Sequence, residues 1–172
     1  MKTRLSLLLF LSMLASVQIS CSQSVKKESD KTSAEVVSET SDLPNMKLTK
    51  IDGTTLEARG LAGKSKIILI FFQPDCDHCQ NEARQIANRL PAFAGYTLYF
   101  ISGSSLPEIE KFSRDYKLND QPNINFAGTD GQSIFDNYGG IPAPSIYLYS
   151  VEGDLIEKFN GEMEIDVVIK YL

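Results

Sequence analysis

Two cysteines, Cys76 and Cys79, stand three positions apart in this chain. At the start of a helix this spacing places both sulfurs on one face of the first turn, close enough to form a disulfide. The helix N-terminus offers unpaired N–H groups and a positive partial charge, which favour the thiolate of Cys76. Cys79, one turn further in, is shielded and able to attack a mixed disulfide on Cys76. The pair therefore predicts thiol–disulfide exchange, with Cys76 attacking and Cys79 resolving.

The residues around the pair carry charges of opposite sign. His78, as a cation, favours the Cys76 thiolate and makes a disulfide more oxidising, whereas Asp75 and Asp77 oppose this by like-charge repulsion. The sequence therefore does not set the redox potential. Two plainer interpretations stay open: His78 is an exposed turn residue without a tuning role, and the two aspartates are solvated charges and a helix N-cap.

Hydrophobic patterns predict the elements that position the cysteines. The segment 66–72 is almost wholly apolar, which is typical of a strand buried on both faces of a sheet. Behind the cysteines, apolar residues recur at helical spacing from 83 to 90. We therefore expect a central strand over 66–72 and an amphipathic helix over 77–90 that ends or kinks at Pro91.

Strands and helices alternate along the remaining sequence. An alternating pattern around the turn at Asp52 and Gly53 predicts a β-hairpin over 46–56. Further strands are predicted at 96–102, 123–127, 145–150 and 155–159, and further helices at 106–118, 132–138 and 165–172. The pattern indicates an α/β fold with a central mixed β-sheet flanked by helices and an N-terminal β-hairpin extension.

The segment 43–172 resembles the TlpA-like (AhpC/TSA-related) thiol-disulfide oxidoreductases, which have the thioredoxin fold. Residues 44–63 resemble the N-terminal hairpin of that family, with its Asp-Gly turn and a Gly-Lys before the central strand. Cys76 and Cys79 match the active-site pair, and Glu82 matches an acid three residues after the second cysteine. The resemblance implies a thioredoxin fold and a redox-active cysteine pair.

The segment 138–149 resembles the part of the family that carries a cis proline. Pro144 aligns with that proline, which faces the disulfide in the family. The resemblance therefore implies a cis Ala143–Pro144 bond, with Ala143 and Pro144 forming a loop that faces the substrate.

Three features depart from the pattern of related proteins. Thioredoxin has a buried aspartate on its central strand, six residues before the first cysteine, where this chain has Ile70. Either Glu82 or a water molecule then has to replace that proton-shuttling acid. The aromatic residue that precedes the first cysteine in many members is Asp75 here. Asp77 and His78 between the cysteines are closer to the Pro-His of bacterial disulfide oxidants than to Gly-Pro, so the direction of electron flow stays open.

The N-terminus has the features of a bacterial export signal. A basic start precedes the apolar stretch 5–17, which is shorter than the ~20 residues that a transmembrane helix needs. The segment 18–21 resembles the lipobox of bacterial lipoproteins, with Gln18 in the place where Leu is usual and Cys21 as the lipidated residue. We predict a lipoprotein signal peptide over 1–20, and the alternative is an ordinary signal peptide with an unrelated cysteine.

The next segment, 21–43, is rich in Ser, Thr, Lys, Glu and Asp and contains no aromatic residue. Such a sequence buries too little apolar surface to offset its ordering entropy, so it predicts a flexible tether. The thioredoxin-like domain is then expected over 44–172.

Length and charge exclude several other classes of protein. A chain of 172 residues leaves room for about one domain. A net charge of -5 argues against a surface that neutralises phosphate backbones, so a nucleic-acid partner is not expected. Three cysteines and one histidine leave few ligands for a metal cluster, and neither a metal nor another cofactor is expected.

Three alternatives compete with disulfide exchange. A peroxiredoxin needs Thr three residues before its peroxidatic cysteine, and Cys76 occupies that position relative to Cys79. A copper or zinc carrier would use Cys76, His78 and Cys79, which leaves a tetrahedral site one ligand short. A purely structural module has no need of the cysteine pair.

The sequence therefore favours a monomeric oxidoreductase that is lipid-anchored to a bacterial membrane in the cell envelope and faces the periplasm. Its expected partners are cysteine-containing extracytoplasmic proteins and a second redox protein.

Overall fold

The computed structural model describes residues 42–172, so the predicted signal peptide, Cys21 and the tether up to residue 41 lie outside the described residues. Seven strands are present in the described chain: β1 (Lys47–Lys50), β2 (Thr55–Glu57), β3 (Lys66–Phe71), β4 (Tyr96–Ser102), β5 (Ile124–Gly128), β6 (Ser145–Tyr149) and β7 (Leu155–Asn160). They form one sheet in the order β2-β1-β5-β4-β3-β6-β7. β3, β4 and β5 run parallel, and the other neighbours pair antiparallel. The predicted mixed sheet is confirmed.

Helices occupy the positions that the sequence predicts. They are α1 (Asp77–Asn88), α2 (Leu106–Asp115), α3 (Gly131–Tyr138) and α4 (Ile165–Ile169), and short 3-10 segments lie at Ala58–Leu61 and Leu90–Phe93. α1, α2 and α4 each end two or three residues before the predicted boundary.

Local backbone chemistry explains two of these early ends. Pro91 cannot continue an α-helix, and the chain tightens there into the 3-10 segment. α2 ends in a Schellman motif: Lys117 has a left-handed backbone with φ 56°, and its N–H and that of Leu118 donate to the carbonyls of Arg114 and Ser113. Glycine usually occupies such a position, so the sequence carries no signal for this end.

The sheet has an apolar core on each face. Alternate side chains of β3 point in opposite directions, so Ile68 and Ile70 enter one core while Ile67, Leu69 and Phe71 enter the other. The first core includes residues of α1, α2 and α4, among them Ala83, Ile86, Ile109, Phe112 and Val168. Because β3 is buried on both sides, its C-terminal end is a rigid support for the cysteines that follow.

The N-terminal β-hairpin is confirmed and is joined to the main sheet. β1 pairs with β2 through a turn at Asp52 and Gly53, and β1 also pairs with β5. The hairpin therefore adds two strands to one edge of the sheet and covers the edge of β5.

The boundary between tether and domain needs one correction. Leu43, which the sequence interpretation assigned to the tether, is only 1 % exposed and belongs to the second core. The Asp42 N–H donates to the Gly153 carbonyl, and the Leu155 N–H donates to the Asp42 carboxylate. Both residues thus belong to the folded domain, because one apolar side chain and two hydrogen bonds hold them. Within residues 42–172, no helix is both long and apolar enough to span a bilayer.

Candidate active site

Cys76 is the N-cap of α1. Its backbone is extended, and its sulfur accepts a hydrogen bond from the Cys79 N–H at 3.3 Å. The interpretation of Asp75 or Asp77 as the N-cap is wrong, because the thiol takes that place and both carboxylates are solvent-exposed. Asp77 is the first helical residue, where a negative charge interacts favourably with the helix dipole. The predicted contact between the first sulfur and the helix N-terminus is therefore present.

Cys79 lies behind Cys76 in the interior. It is 2 % exposed, whereas Cys76 is half-buried, and both thiols are free. The Gln73 N–H donates to the Cys79 sulfur at 3.5 Å. Burial raises the pKa of the Cys79 thiol, and the hydrogen bond with Cys76 raises it further. The two sulfurs thus have different environments, with the accessible one at the helix start and the shielded one a turn inside.

The loop before β6 contacts the accessible sulfur. The Ala143–Pro144 peptide bond is cis, as the family resemblance implied. The Cys76 thiol donates to the Ala143 carbonyl oxygen at 3.6 Å. This proximity follows from the sheet, because Phe71 at the end of β3 pairs with Ser145 at the start of β6.

The position of thioredoxin's buried aspartate is apolar in this chain, and a different acid is buried instead. Ile70 is in the core, and Glu82 on α1 is 1 % exposed. Neither carboxyl oxygen of Glu82 makes a hydrogen bond of good geometry in the described structure, although the Met163 backbone N–H is close enough to lower its pKa, as the smallest of the influences on it. Burial, followed by the negative charge of Glu162, raises the pKa of Glu82 to about 8. Glu82 lies one helical turn beyond Cys79, and its charge acts on the Cys79 thiol.

His78 forms a hydrogen bond with Glu162, a partner that the sequence did not predict. Its side chain is 73 % exposed, and Nδ1 donates to Glu162 Oε2 at 2.5 Å. The Asn81 side-chain amide donates to the other carboxylate oxygen of Glu162. The contacts of the Cys76 sulfur are with Cys79 N–H and Ala143 oxygen, so its described hydrogen bonds do not include His78. Glu162 follows β7, more than eighty residues after His78, and no motif marks it.

Comparisons with known proteins agree with this geometry. The family model described as the AhpC/TSA family matches residues 40–157. The chain belongs to the AhpC/TSA family. It is 28 % identical over 141 residues to the thiol-disulfide oxidoreductase ResA of Bacillus subtilis, covering 80 % of this chain and 76 % of the relative. The chain is thus a thiol-disulfide oxidoreductase, and the resemblance seen in the sequence is confirmed at the level of family and activity.

Solved structures share the fold of this AhpC/TSA family member. A secreted Mycobacterium tuberculosis disulfide oxidoreductase homologous to Escherichia coli DsbE matches with a TM-score of 0.62 at 20 % identity, over 74 % of this chain and 93 % of that one. Copper-bound ScoI of Arabidopsis thaliana matches with a TM-score of 0.60 at 16 % identity, over 76 % of this chain and 98 % of that one. At such identities the likeness concerns the thioredoxin fold alone.

The copper-bound neighbour raises the question of metal binding at the cysteines. Among the described residues, no group of three or more His, Cys, Asp or Glu side chains is arranged to hold a metal ion. Of the two His78 ring nitrogens, Nδ1 is bound to Glu162. The described geometry therefore gives the carrier alternative no support.

Proposed function

We propose that this oxidoreductase exchanges disulfides with cysteine-containing proteins outside the cytoplasm, with Cys76 as the attacking sulfur and Cys79 as the resolving one. The observation that carries the assignment is the difference in burial between the two thiols. A protein disulfide can reach the half-buried Cys76, which sits at the positive end of α1, but not Cys79, which is 2 % exposed. Partial exposure and a place at a helix N-terminus are both features of reactive cysteines.

From the dithiol form the exchange proceeds in two steps. The Cys76 thiolate attacks one sulfur of a substrate disulfide, forms a mixed disulfide and releases the first substrate thiolate. Cys79 then loses its proton and attacks the Cys76 sulfur, which releases the second substrate thiolate and leaves a Cys76–Cys79 disulfide. The substrate gains two electrons and two protons, and the reverse sequence oxidises a substrate dithiol.

Glu82 is the proposed proton acceptor for Cys79. Burial raises the pKa of the Cys79 thiol, so the second step needs a base close to it. The buried carboxyl of Glu82 has a pKa of about 8, so near neutral pH it both accepts and returns a proton. In the described structure no hydrogen bond of good geometry competes for its oxygens. In this role Glu82 takes the place of the buried aspartate of thioredoxin, whose position in this chain is Ile70.

Ala143 and Pro144 form the proposed substrate-facing loop. In the dithiol form the Cys76 thiol donates a hydrogen bond to the Ala143 carbonyl oxygen. Once the thiol loses its proton it has nothing to donate, and the carbonyl becomes available to a backbone N–H of the incoming substrate. The loop then aligns the substrate chain beside the attacking sulfur.

The proposed location is the bacterial cell envelope, with a lipid on Cys21 and the domain facing the periplasm. The sequence signals for export, the Ser20–Cys21 junction and the polar tether support it. A flexible tether over the 20 residues 22–41 has an end-to-end distance of about 25 Å, which keeps the domain near a membrane surface. Disulfide chemistry suits an extracytoplasmic compartment, and one protein with the same fold is described as secreted. We propose that it acts there as a monomer, with a second redox protein that resets the cysteine pair.

Cysteine variants test the division of roles. Incubated with an oxidised model protein such as insulin, the Cys79→Ser protein should accumulate a mixed disulfide on Cys76, because no second thiol releases it. The matched Cys76→Ser protein should trap little, since its remaining thiol is buried. Non-reducing gels resolve the adducts, and equal trapping by both variants would contradict the assignment.

A titration against glutathione buffers gives the direction of electron flow. A reduction potential near that of thioredoxin, roughly -270 mV, identifies a reductant, and one near that of DsbA, roughly -120 mV, identifies an oxidant.

A further inference from the structure

The connection between β7 and α4 is bound along one face of the active-site helix. Gln85 on α1 donates to the Met163 carbonyl and accepts from the Ile165 N–H, and Arg89 pairs with Asp166. Nearer the cysteines, His78 and Asn81 both donate to Glu162. This connection therefore fixes the side chains on the exposed face of the first turn of α1.

Glu162 is ionised in this arrangement. The hydrogen bond from Asn81, followed by the one from His78, lowers the pKa of its carboxyl group. An ionised carboxylate only accepts hydrogen bonds, so His78 Nδ1 carries the proton and donates it. The second donor, Asn81, holds the carboxylate in place, and thereby the imidazole that is bound to it.

We propose that Glu162 is a positioning residue that holds the His78 imidazole away from the Cys76 sulfur and so makes the Cys76–Cys79 disulfide a weaker oxidant. The inference rests on the proposed role of Cys76 as the exchanging thiol. An imidazolium free to approach the sulfur stabilises its thiolate, and with it the reduced form, which strengthens the disulfide as an oxidant. In this structure that imidazole is bound to Glu162 instead.

The sign of the effect follows from the charges near the sulfur. Replacing Glu162 by Gln removes one negative charge. His78 can lose at most one positive charge in response, so these two residues together never become more negative. Asp75 and Asp77 are solvent-exposed and are the same residues in the variant.

Glu82 also responds to the Glu162→Gln substitution, because the charge of Glu162 contributes to the raised pKa of Glu82. At pH 6 Glu82 stays protonated, since its pKa is about 8 and burial is the larger cause. A measurement at pH 6 therefore isolates the pair of Glu162 and His78.

The test is the equilibrium of the full-length protein with glutathione at pH 6. We expect Glu162→Gln to make the disulfide more oxidising, with a two- to tenfold change in the equilibrium constant. A tenfold change corresponds to ~30 mV for this two-electron couple. The range is modest because interactions between exposed charges are weak.

Three further variants separate positioning from other causes. Glu164→Gln removes the same charge from an exposed residue two positions away that makes no cap hydrogen bond, and it should leave the equilibrium unchanged. Gln85→Ala removes two hydrogen bonds to the same connection but keeps the contacts of Glu162 with His78 and Asn81, so its shift should be smaller than that of Glu162→Gln. In a His78→Gln background, Glu162→Gln should lose most of its effect.

Several results would overturn the proposal. They are an unchanged potential in Glu162→Gln, an equal shift in Glu164→Gln or Gln85→Ala, or an undiminished shift in the His78→Gln background. If the wild-type pair does not equilibrate with glutathione at all, the proposed exchange fails together with the role of Glu162. If the wild type equilibrates and only the shift is missing, the proposed function stands and the positioning role is wrong.

Discussion

At the scale of single residues, Glu82 is the most unusual side chain of the domain. A carboxyl group that is 1 % exposed and makes no hydrogen bond of good geometry is costly to ionise, so the protein keeps it protonated to about pH 8. The unfolded chain loses that proton near pH 4.5. Between these two values the folded state binds more protons than the unfolded state, and the free energy of unfolding falls as the pH rises.

We predict that Glu82→Gln removes this pH dependence. The contribution of Glu82 to the slope of the free energy of unfolding between pH 5 and 8 is at most ~1.4 kcal/mol per pH unit, or roughly 4 kcal/mol in total. Urea unfolding of the dithiol protein should therefore show the wild type losing stability with rising pH relative to Glu82→Gln. The exposed Glu152→Gln serves as the control and should follow the wild type. Parallel pH profiles for wild type and Glu82→Gln would show that the buried carboxyl titrates normally.

The residues of the site differ in how far the sequence could predict them. Cys76, Cys79 and Pro144 lie in local motifs, and the structure places Cys76 next to the residue that precedes the proline. Glu82 matches an acid of the family in the sequence, but its burial in the core depends on packing from several elements. Glu162 could not be found in this way, because its contact with His78 joins two distant segments and involves no recurring spacing.

At the scale of elements, helix ends were the least predictable features. Apolar periodicity gave the position of α2 well, but it continues through Leu118, which is buried after the helix has ended. The turn at Lys117 folds Leu118 back onto the core with two backbone hydrogen bonds. Periodicity therefore reported burial, not helical conformation, in this stretch.

This helix end provides a prediction for stability. A lysine in the left-handed region is disfavoured relative to glycine, so Lys117→Gly should raise the free energy of unfolding by about 1 kcal/mol. Lys117→Ala removes the side chain but retains the steric conflict, and it should give no such gain. Urea unfolding of the three proteins checks this, and equal stabilities of the glycine and alanine variants would mean that the backbone at 117 is not under this constraint.

At the scale of the whole molecule, the proposed attachment to a membrane and the cysteine chemistry involve different parts of the chain. Cys21, the proposed lipid site, lies between the predicted export signal and the polar segment that follows it. The domain described by the structure contains its own two cores and the complete cysteine site. Attachment and catalysis should therefore be separable by mutation.

We predict that Cys21→Ser moves the protein from the membrane fraction to the soluble fraction of cells, because a lipid chain is the proposed anchor. Cys76→Ser is the matched control and should stay with the membrane. Fractionation followed by detection of the domain measures both. A Cys21→Ser protein that stays in the membrane fraction with residues 1–20 attached would indicate a transmembrane anchor instead.

The hydrogen bonds of Asp42 have a consequence for how partners reach the protein. They fix the chain to the turn after β6, at the end of the sheet where β3 begins, whereas the cysteines follow the end where β3 stops. Six residues of strand separate the two ends by ~20 Å. Any force applied to the chain before Asp42 is therefore transmitted to the pole opposite the cysteines. A partner can therefore approach the Cys76 sulfur from the end of the sheet opposite to the Asp42 hydrogen bonds.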